Sequence, residues 1–214
     1  DEPALAGALW VTYVRSRMAH AKITVDASAA STMPGVAGVF TAVDLDGPTI
    51  LQGQVPMFPE AMLNRPILAI DTVRFVGECI AVVLSETPEE GADAAEVVAI
   101  DYEPLPVVVD MEEAATDSVL IYEEIGTNIA VDFSAMGMAT GITDDSFFED
   151  CEVVLSGRVP HQRTAPAPLE PRSTAAAWEG DKAIMWMSNQ APHGVKGALE
   201  PLYAEQAKGG FQVI

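Results

Sequence analysis

The stretch from Glu78 to Tyr102 constrains the fold more than any other part of the chain. Cys79-Ile80-Ala81-Val82-Val83-Leu84 is an unbroken apolar run, the pattern of a strand buried on both faces. Thr87-Pro88-Glu89-Glu90 follows, with a threonine at the N-cap, proline at the first helical position and glutamate where a capping box needs it. An alanine-rich helix to about Glu96 then passes straight into the strand Val97-Val98-Ala99-Ile100-Asp101-Tyr102. Strand, helix and strand in so short a span imply α/β architecture, with helices packed on one face of a mixed sheet. On that reading the helix lies on a sheet containing both 78–85 and 97–102, and Ile80–Leu84 is kept from water.

Shorter elements lead up to this unit. Leu9–Val14, Ala21–Val25 and Val36–Thr41 read as strands, and Ser28–Met33 as one short helical stretch stopped by Pro34-Gly35. Residues 47–66, with Pro48, Pro56, Pro59 and Pro66, read as a long ordered loop. Residues 110–150 are acidic and without clear period, which predicts a boundary, a linker or a crossing segment. After Cys151 the pattern turns to strands. Glu152–Val159 is expected to be one, and Ser173–Trp178 with Ala183–Met187 form a hairpin about a Gly-Asp turn. Pro192 opens a helix to about Glu205, and Phe211-Gln212-Val213-Ile214 reads as a strand that calls for sequence beyond it.

Charge excludes several functions. The chain carries 11 Lys and Arg against 32 Asp and Glu, a net of −21. Phosphate backbones and anionic lipid repel such a surface, so nucleic acid is not an expected partner. The longest apolar run is far too short to span a membrane. Residues 75–157 contain no Lys or Arg and 20 acids. They read as a solubilising face or, alternatively, as a docking face for a basic partner. Asp44-Leu45-Asp46-Gly47 lacks the later ligands of a calcium loop. Cys79 and Cys151 form no metal pair or disulfide framework, and Asp1-Glu2-Pro3 does not open a signal peptide, which together favour the cytoplasm.

Composition and spacing alone name no chemistry. There is no HExxH, GxSxG, GxxxxGK[ST] or GxGxxG after a strand. His20, His161 and His193 have no ligand spacing to one another and read as structural residues. No catalytic or metal-ligating residue is assigned.

Longer words are more specific. Tyr13-Val14-Arg15-Ser16-Arg17-Met18-Ala19-His20-Ala21-Lys22-Ile23 resembles the "YVRSPHAHARI" opening of molybdenum hydroxylase large chains. Asp26–Ala30 and Met33–Val36 resemble the family's next segment. Val73–Glu78 resembles "VRYVGEP", with Cys79 in place of proline. Asp101–Pro106 resembles "YEPLP", Gln162–Arg172 resembles "QRLAPAPMEPR", and Ser188–His193 resembles "STQAPH". The family includes xanthine dehydrogenases, aldehyde oxidases and aerobic carbon monoxide dehydrogenases, and the ordered words run through nearly the whole chain.

The resemblance implies an α/β-hammerhead domain at residues 1–115, a linker or crossing segment at 116–150, and at 151–214 the start of a molybdopterin-binding domain, α+β with mixed sheets. It implies the N-terminal part of an oxidoreductase that hydroxylates aldehydes or N-heterocycles, or oxidises carbon monoxide. The implied cofactor is molybdopterin with molybdenum, in a cytosine dinucleotide form, held by the full-length enzyme and not by this segment alone. Implied partners are the remainder of the large subunit and iron–sulfur and FAD subunits or domains. The family glutamine matching Gln190 hydrogen-bonds the apical oxygen of molybdenum, so the resemblance gives Gln190 a cofactor-binding role. The alternative is a non-enzymatic acidic α/β module that docks a basic partner.

Overall fold

A computed structural model describes residues 3–45, 50–51, 65–130, 145–162, 164–165 and 167–214. The chain divides into two compact units, Asp1–Ala130 with Arg172–Ile214, and Val131–Pro171.

In the first unit the strands are β1 (Trp10–Arg15), β2 (Ala21–Asp26), β3 (Val36–Thr41), β4 (Ile50–Leu51), β5 (Arg65–Pro66), β6 (Thr72–Val73), β7 (Cys79–Ser85) and β8 (Ala99–Pro104). Helix α1 (Pro88–Val97) lies between β7 and β8. Its capping box forms as the sequence dictates: Glu90 N–H donates to Thr87 Oγ1 at 3.3 Å, and Thr87 N–H donates to Glu90 Oε2 at 3.1 Å. One antiparallel sheet has the order β1-β7-β3, and α1 covers one of its faces over Val14, Ala81, Val83, Ala94 and Val98. Ile80, Ala81 and Val83 are fully buried, as expected of the apolar run.

The expectation of one mixed sheet under α1 is corrected. β8 is in a second antiparallel sheet, ordered β6-β2-β8. β7 already has β1 on one edge and β3 on the other, so no edge is left for β8. It pairs instead along the whole of β2, from Ala21↔Pro104 to Asp26↔Ala99. Ala21, Ile23, Ala69, Val73 and Ile80 form the core there, and Val25 and Ile100 touch both cores.

Ser28–Met33 holds a single 3-10 turn, Ala30–Thr32. Most of the expected loop 47–66 lies outside the described residues, although β4 pairs antiparallel with β5 at its ends. Asp44 is occupied with Thr41, while Asp46 and Gly47 are not among the described residues. Asp110 caps the short helix α2 (Met111–Ala114), and residues 114–128 are tied together around Asn128.

Residues 172–214 form a third sheet from β9 (Thr174–Glu179), β10 (Lys182–Met187) and β11 (Phe211–Val213), ordered β11-β10-β9. β9 and β10 are the expected hairpin. Gly180 holds φ 65° at its turn, a conformation that glycine adopts without steric cost. β10 and β11 run parallel, joined through α3 (Pro192–Leu199). The helix was expected to reach Glu205 but stops at Leu199. Pro201 has no N–H to continue the ladder and disfavours helix in the residue before it, and turns follow. Ala183, Ala207 and Phe211 are the core, with the Tyr203 ring stacked on Phe211 at 6.4 Å.

In the second unit the strand expected at Glu152–Val159 is absent. Those residues are irregular and exposed, Leu155 and Val159 each at 91%. Valine and leucine favour a pleated surface, but a strand also needs a neighbour to take its N–H and C=O groups, and none pairs here.

Candidate functional site

The words that carry the resemblance fall into three groups, of which Gln162–Arg172 is irregular and exposed where described, with Arg163 and Pro166 outside the described residues. Those in the first 106 residues bind one another. His20 is buried, and its Nδ1–H donates to Pro106 O at 2.7 Å, while Leu105 N–H donates to His20 O at 3.0 Å. Arg15 Nη1 donates to Gly77 O at 3.0 Å. Ser16 N–H donates to Glu78 O, and Gly77 N–H returns a bond to Ser16 O, both at 2.8 Å. Three words distant in sequence therefore interlock at one place, and their polar groups are spent on each other. They build a scaffold. His161 is exposed and irregular, and His193 is exposed on α3. The three histidines do not meet, and among the described residues no group of His, Cys, Asp and Glu could hold a metal. Cys79 and Cys151 are both free thiols.

The word at Ser188–His193 behaves differently. It forms the turn from β10 into α3. Ser173 N–H donates to Ser188 Oγ at 3.0 Å, which ties the end of β10 to β9. Asn189 shapes the turn: its Nδ2 donates to Met187 O at 3.3 Å, and its Oδ1 accepts from Ala191 N–H at 2.8 Å. Pro192 then starts the helix at a position that needs no N–H. Gln190, between these fixed residues, is exposed, and its side-chain amide has no hydrogen bond to any described residue. The turn's backbone contacts are made by Asn189 and not by Gln190.

Because β10 and β11 are parallel, Gln190 and Ile214 leave the sheet at the same edge, the carboxyl end of both strands. Met187 N–H donates to Ile214 O at 3.2 Å across it. Ligands of parallel strands collect at that edge. A cavity of about 570 Å³ flanks α3, lined by Lys182, His193, Lys196 and Gly209–Gly210 among others, but not by Gln190. Both lysines are engaged, Lys182 with Gln212 Oε1 at 2.5 Å and Lys196 with Glu200 at 3.6 Å. In residues 172–214 the bases Arg172, Lys182, Lys196 and Lys208 balance four acids, so the net charge of −21 belongs to residues 1–171.

Two residues of consequence were not singled out from sequence. The role of Asn189 follows from its Asx-type reach to the backbone two residues on. Arg74 was legible as the last cation before residues 75–157 and as part of the Val73–Glu78 word, but its contacts with Ile121, Tyr122 and Glu124 were not.

Comparisons with known proteins agree with this division. Residues 1–106 match the aldehyde oxidase and xanthine dehydrogenase a/b hammerhead domain, and residues 121–206 match the molybdopterin cofactor-binding domain. The nicotine 6-hydroxylase large subunit of Paenarthrobacter nicotinovorans is 34% identical over 197 residues, covering 90% of this chain and 24% of that protein. The carbon monoxide dehydrogenase large chain of Afipia carboxidovorans is 33% identical over 211 residues, covering 92% of this chain and 25% of that one. Quinoline 2-oxidoreductase from Pseudomonas putida 86 superposes with a TM-score of 0.80 at 26% identity, over 98% of this chain and 26% of that chain. The chain thus spans about a quarter of the length of these relatives. With a hammerhead scaffold followed by the opening of a molybdopterin-binding domain, the chain belongs to the aldehyde oxidase and xanthine dehydrogenase family of molybdenum hydroxylase large subunits.

Proposed function

We propose that this chain serves as the N-terminal part of the large subunit of a molybdenum hydroxylase, and that Gln190 contacts the cofactor. One observation carries the role of Gln190. Its amide is exposed and, among the described residues, unpaired at the carboxyl edge of the parallel strands, while its neighbours are fixed by backbone contacts. A primary amide donates a hydrogen bond without adding charge. The local chemistry fits: this part of the chain is electrically neutral, so an anionic cofactor meets little of the acidity found elsewhere. When bound, the cofactor supplies the two-electron oxidation. Gln190 would hold it from one side, and residues 172–189 would hold Gln190.

The division into 1–115, 116–150 and 151–214 is kept as a proposal: the first family match ends at 106, close to 115, whereas the second begins at 121, ahead of 151. The substrate class is an aldehyde, an N-heterocycle or carbon monoxide, in keeping with relatives named for nicotine, quinoline and carbon monoxide. Iron–sulfur and FAD subunits or domains would take the electrons. A relative named as a subunit of a dehydrogenase complex supports assembly with other chains. A cytosine dinucleotide form of the cofactor and a cytoplasmic setting complete the proposal. The two free thiols are consistent with a reducing compartment, and no helix among the described residues is long and apolar enough to cross a membrane.

In the full-length enzyme Gln190→Ala should lower turnover by something like the 10²–10³ seen when an oxyanion donor is removed. Molybdenum content should stay near normal. Unchanged turnover per molybdenum would return Gln190 to a purely local role.

A further inference from the structure

Residues 107–120 join the two family-matched parts, and 121–124 open the second of them. Arg74, just after β6, reaches those opening residues in three ways. Its guanidinium carbon lies 4.4 Å from the centroid of the Tyr122 ring. Nε–H donates to Ile121 O at 3.2 Å, and Nη2 lies 3.5 Å from Glu124 Oε1. The base of the arginine is itself held, because Arg74 N–H donates to the carboxylate of buried Glu78 at 2.5 Å. Only 17% of the Arg74 side chain is exposed, whereas Glu124 is 63% exposed. The ring contact and the bond to Ile121 O therefore carry more of the grip than the ion pair.

The loop that Arg74 grips has its own framework. Asn128 Nδ2 donates to Ala114 O and Val119 O, at 3.0 and 2.7 Å. Asn128 Oδ1 accepts from Ile121 N–H at 2.9 Å, and Asn128 N–H donates to Asp117 Oδ1 at 2.7 Å. Asp117 sits at φ 57°, one of the few side-chain-bearing residues to tolerate that region. Loop and hammerhead line an open cleft of about 730 Å³, with His20, Lys22 and Asp71 on one side and residues 117–121 on the other. Residues 75–157 contain no other cation that could take over from Arg74.

We infer that Arg74 is a positioning residue, a pin that fixes where the first residues of the cofactor-binding part leave the hammerhead part, with residues 117–128 as the preformed piece it holds. Amide hydrogen exchange on the 214-residue chain tests this, with the Ile121 amide as reporter and β7 as internal reference. Arg74→Ala should speed exchange over 119–125 by at least about tenfold, the scale of one lost charge-assisted hydrogen bond and one cation–π contact. β7 should be unchanged. Arg74→Lys keeps the charge but not the planar fork, and should fall between. If Arg74→Ala loosens β7 equally, Tyr122→Leu decides, because it leaves the base of Arg74 intact and must loosen 119–125 alone. Exchange at 119–125 that is unmoved in Arg74→Ala, or in Tyr122→Leu when that variant decides, overturns the assignment.

Discussion

Thr41 and Asp44 show how a single carboxylate can close a local structure. Asp44 Oδ2 accepts from Thr41 N–H and from Thr41 Oγ1, both at 2.7 Å. The backbone N–H contributes most and the hydroxyl next, and together they hold the Asp44 carboxyl below the ordinary 3.8. A carboxylate depressed in the folded state stabilises it above the unfolded value, and the contribution is lost as pH falls through the lower folded value. An NMR titration should therefore place the Asp44 midpoint below 3.8, with the Thr41 amide shifting in step. A midpoint at or above 3.8 would contradict this contact. At the same scale, His20 was legible as a hydrogen-bonded structural residue, but its partner Pro106 was not, since 86 positions separate them. Gln190 stood out through its resemblance to a family word. That Asn189, and not Gln190, makes the contacts of the turn is shown only by the three-dimensional arrangement.

At the scale of elements, features encoded locally were readable and features needing a partner were not. The α1 capping box uses residues three apart and forms as the sequence indicates. The β9–β10 hairpin is likewise set by its own turn. Which sheet β8 joins depends on β1 and β3 having taken both edges of β7, a non-local fact. Glu152–Val159 has strand composition but no strand beside it. Gly91 marks where α1 comes closest to its sheet. A Cβ there would lie 2.5 Å from Thr12 Oγ1 and 2.6 Å from Ser85 Oγ. Ser85 is fully buried, and its hydroxyl is committed to Thr87 O at 2.7 Å, so it has little room to give. Gly91→Ala should destabilise the hammerhead part by about 1–3 kcal/mol through overpacking. That outweighs the helix propensity gained, about 1 kcal/mol. A urea midpoint that stays level or rises in this variant would contradict the close approach of α1 to β1 and β7.

For the whole molecule, family membership was legible because the matching words keep their order from Tyr13 to His193. Most of those words describe scaffold, with side chains consumed in joining β1, β2, β6, β7 and β8. Among the described residues, the Ser188–His193 word leaves the Gln190 amide without a partner at the carboxyl end of β10 and β11. The acidity follows the same division. It is carried by residues 1–171, while the edge bearing Gln190 belongs to a neutral segment. The chain spans about a quarter of the length of these relatives, and on the proposed reading further sequence would complete the cofactor site around Gln190. Molybdenum per polypeptide, measured by elemental analysis on the native protein carrying this sequence, tests that most directly. The account predicts close to one molybdenum in a native polypeptide several times longer than 214 residues, and none retained by the 214-residue chain alone. A native polypeptide without molybdenum, or a 214-residue chain that holds it stoichiometrically, would contradict the account, the first in favour of an acidic docking module.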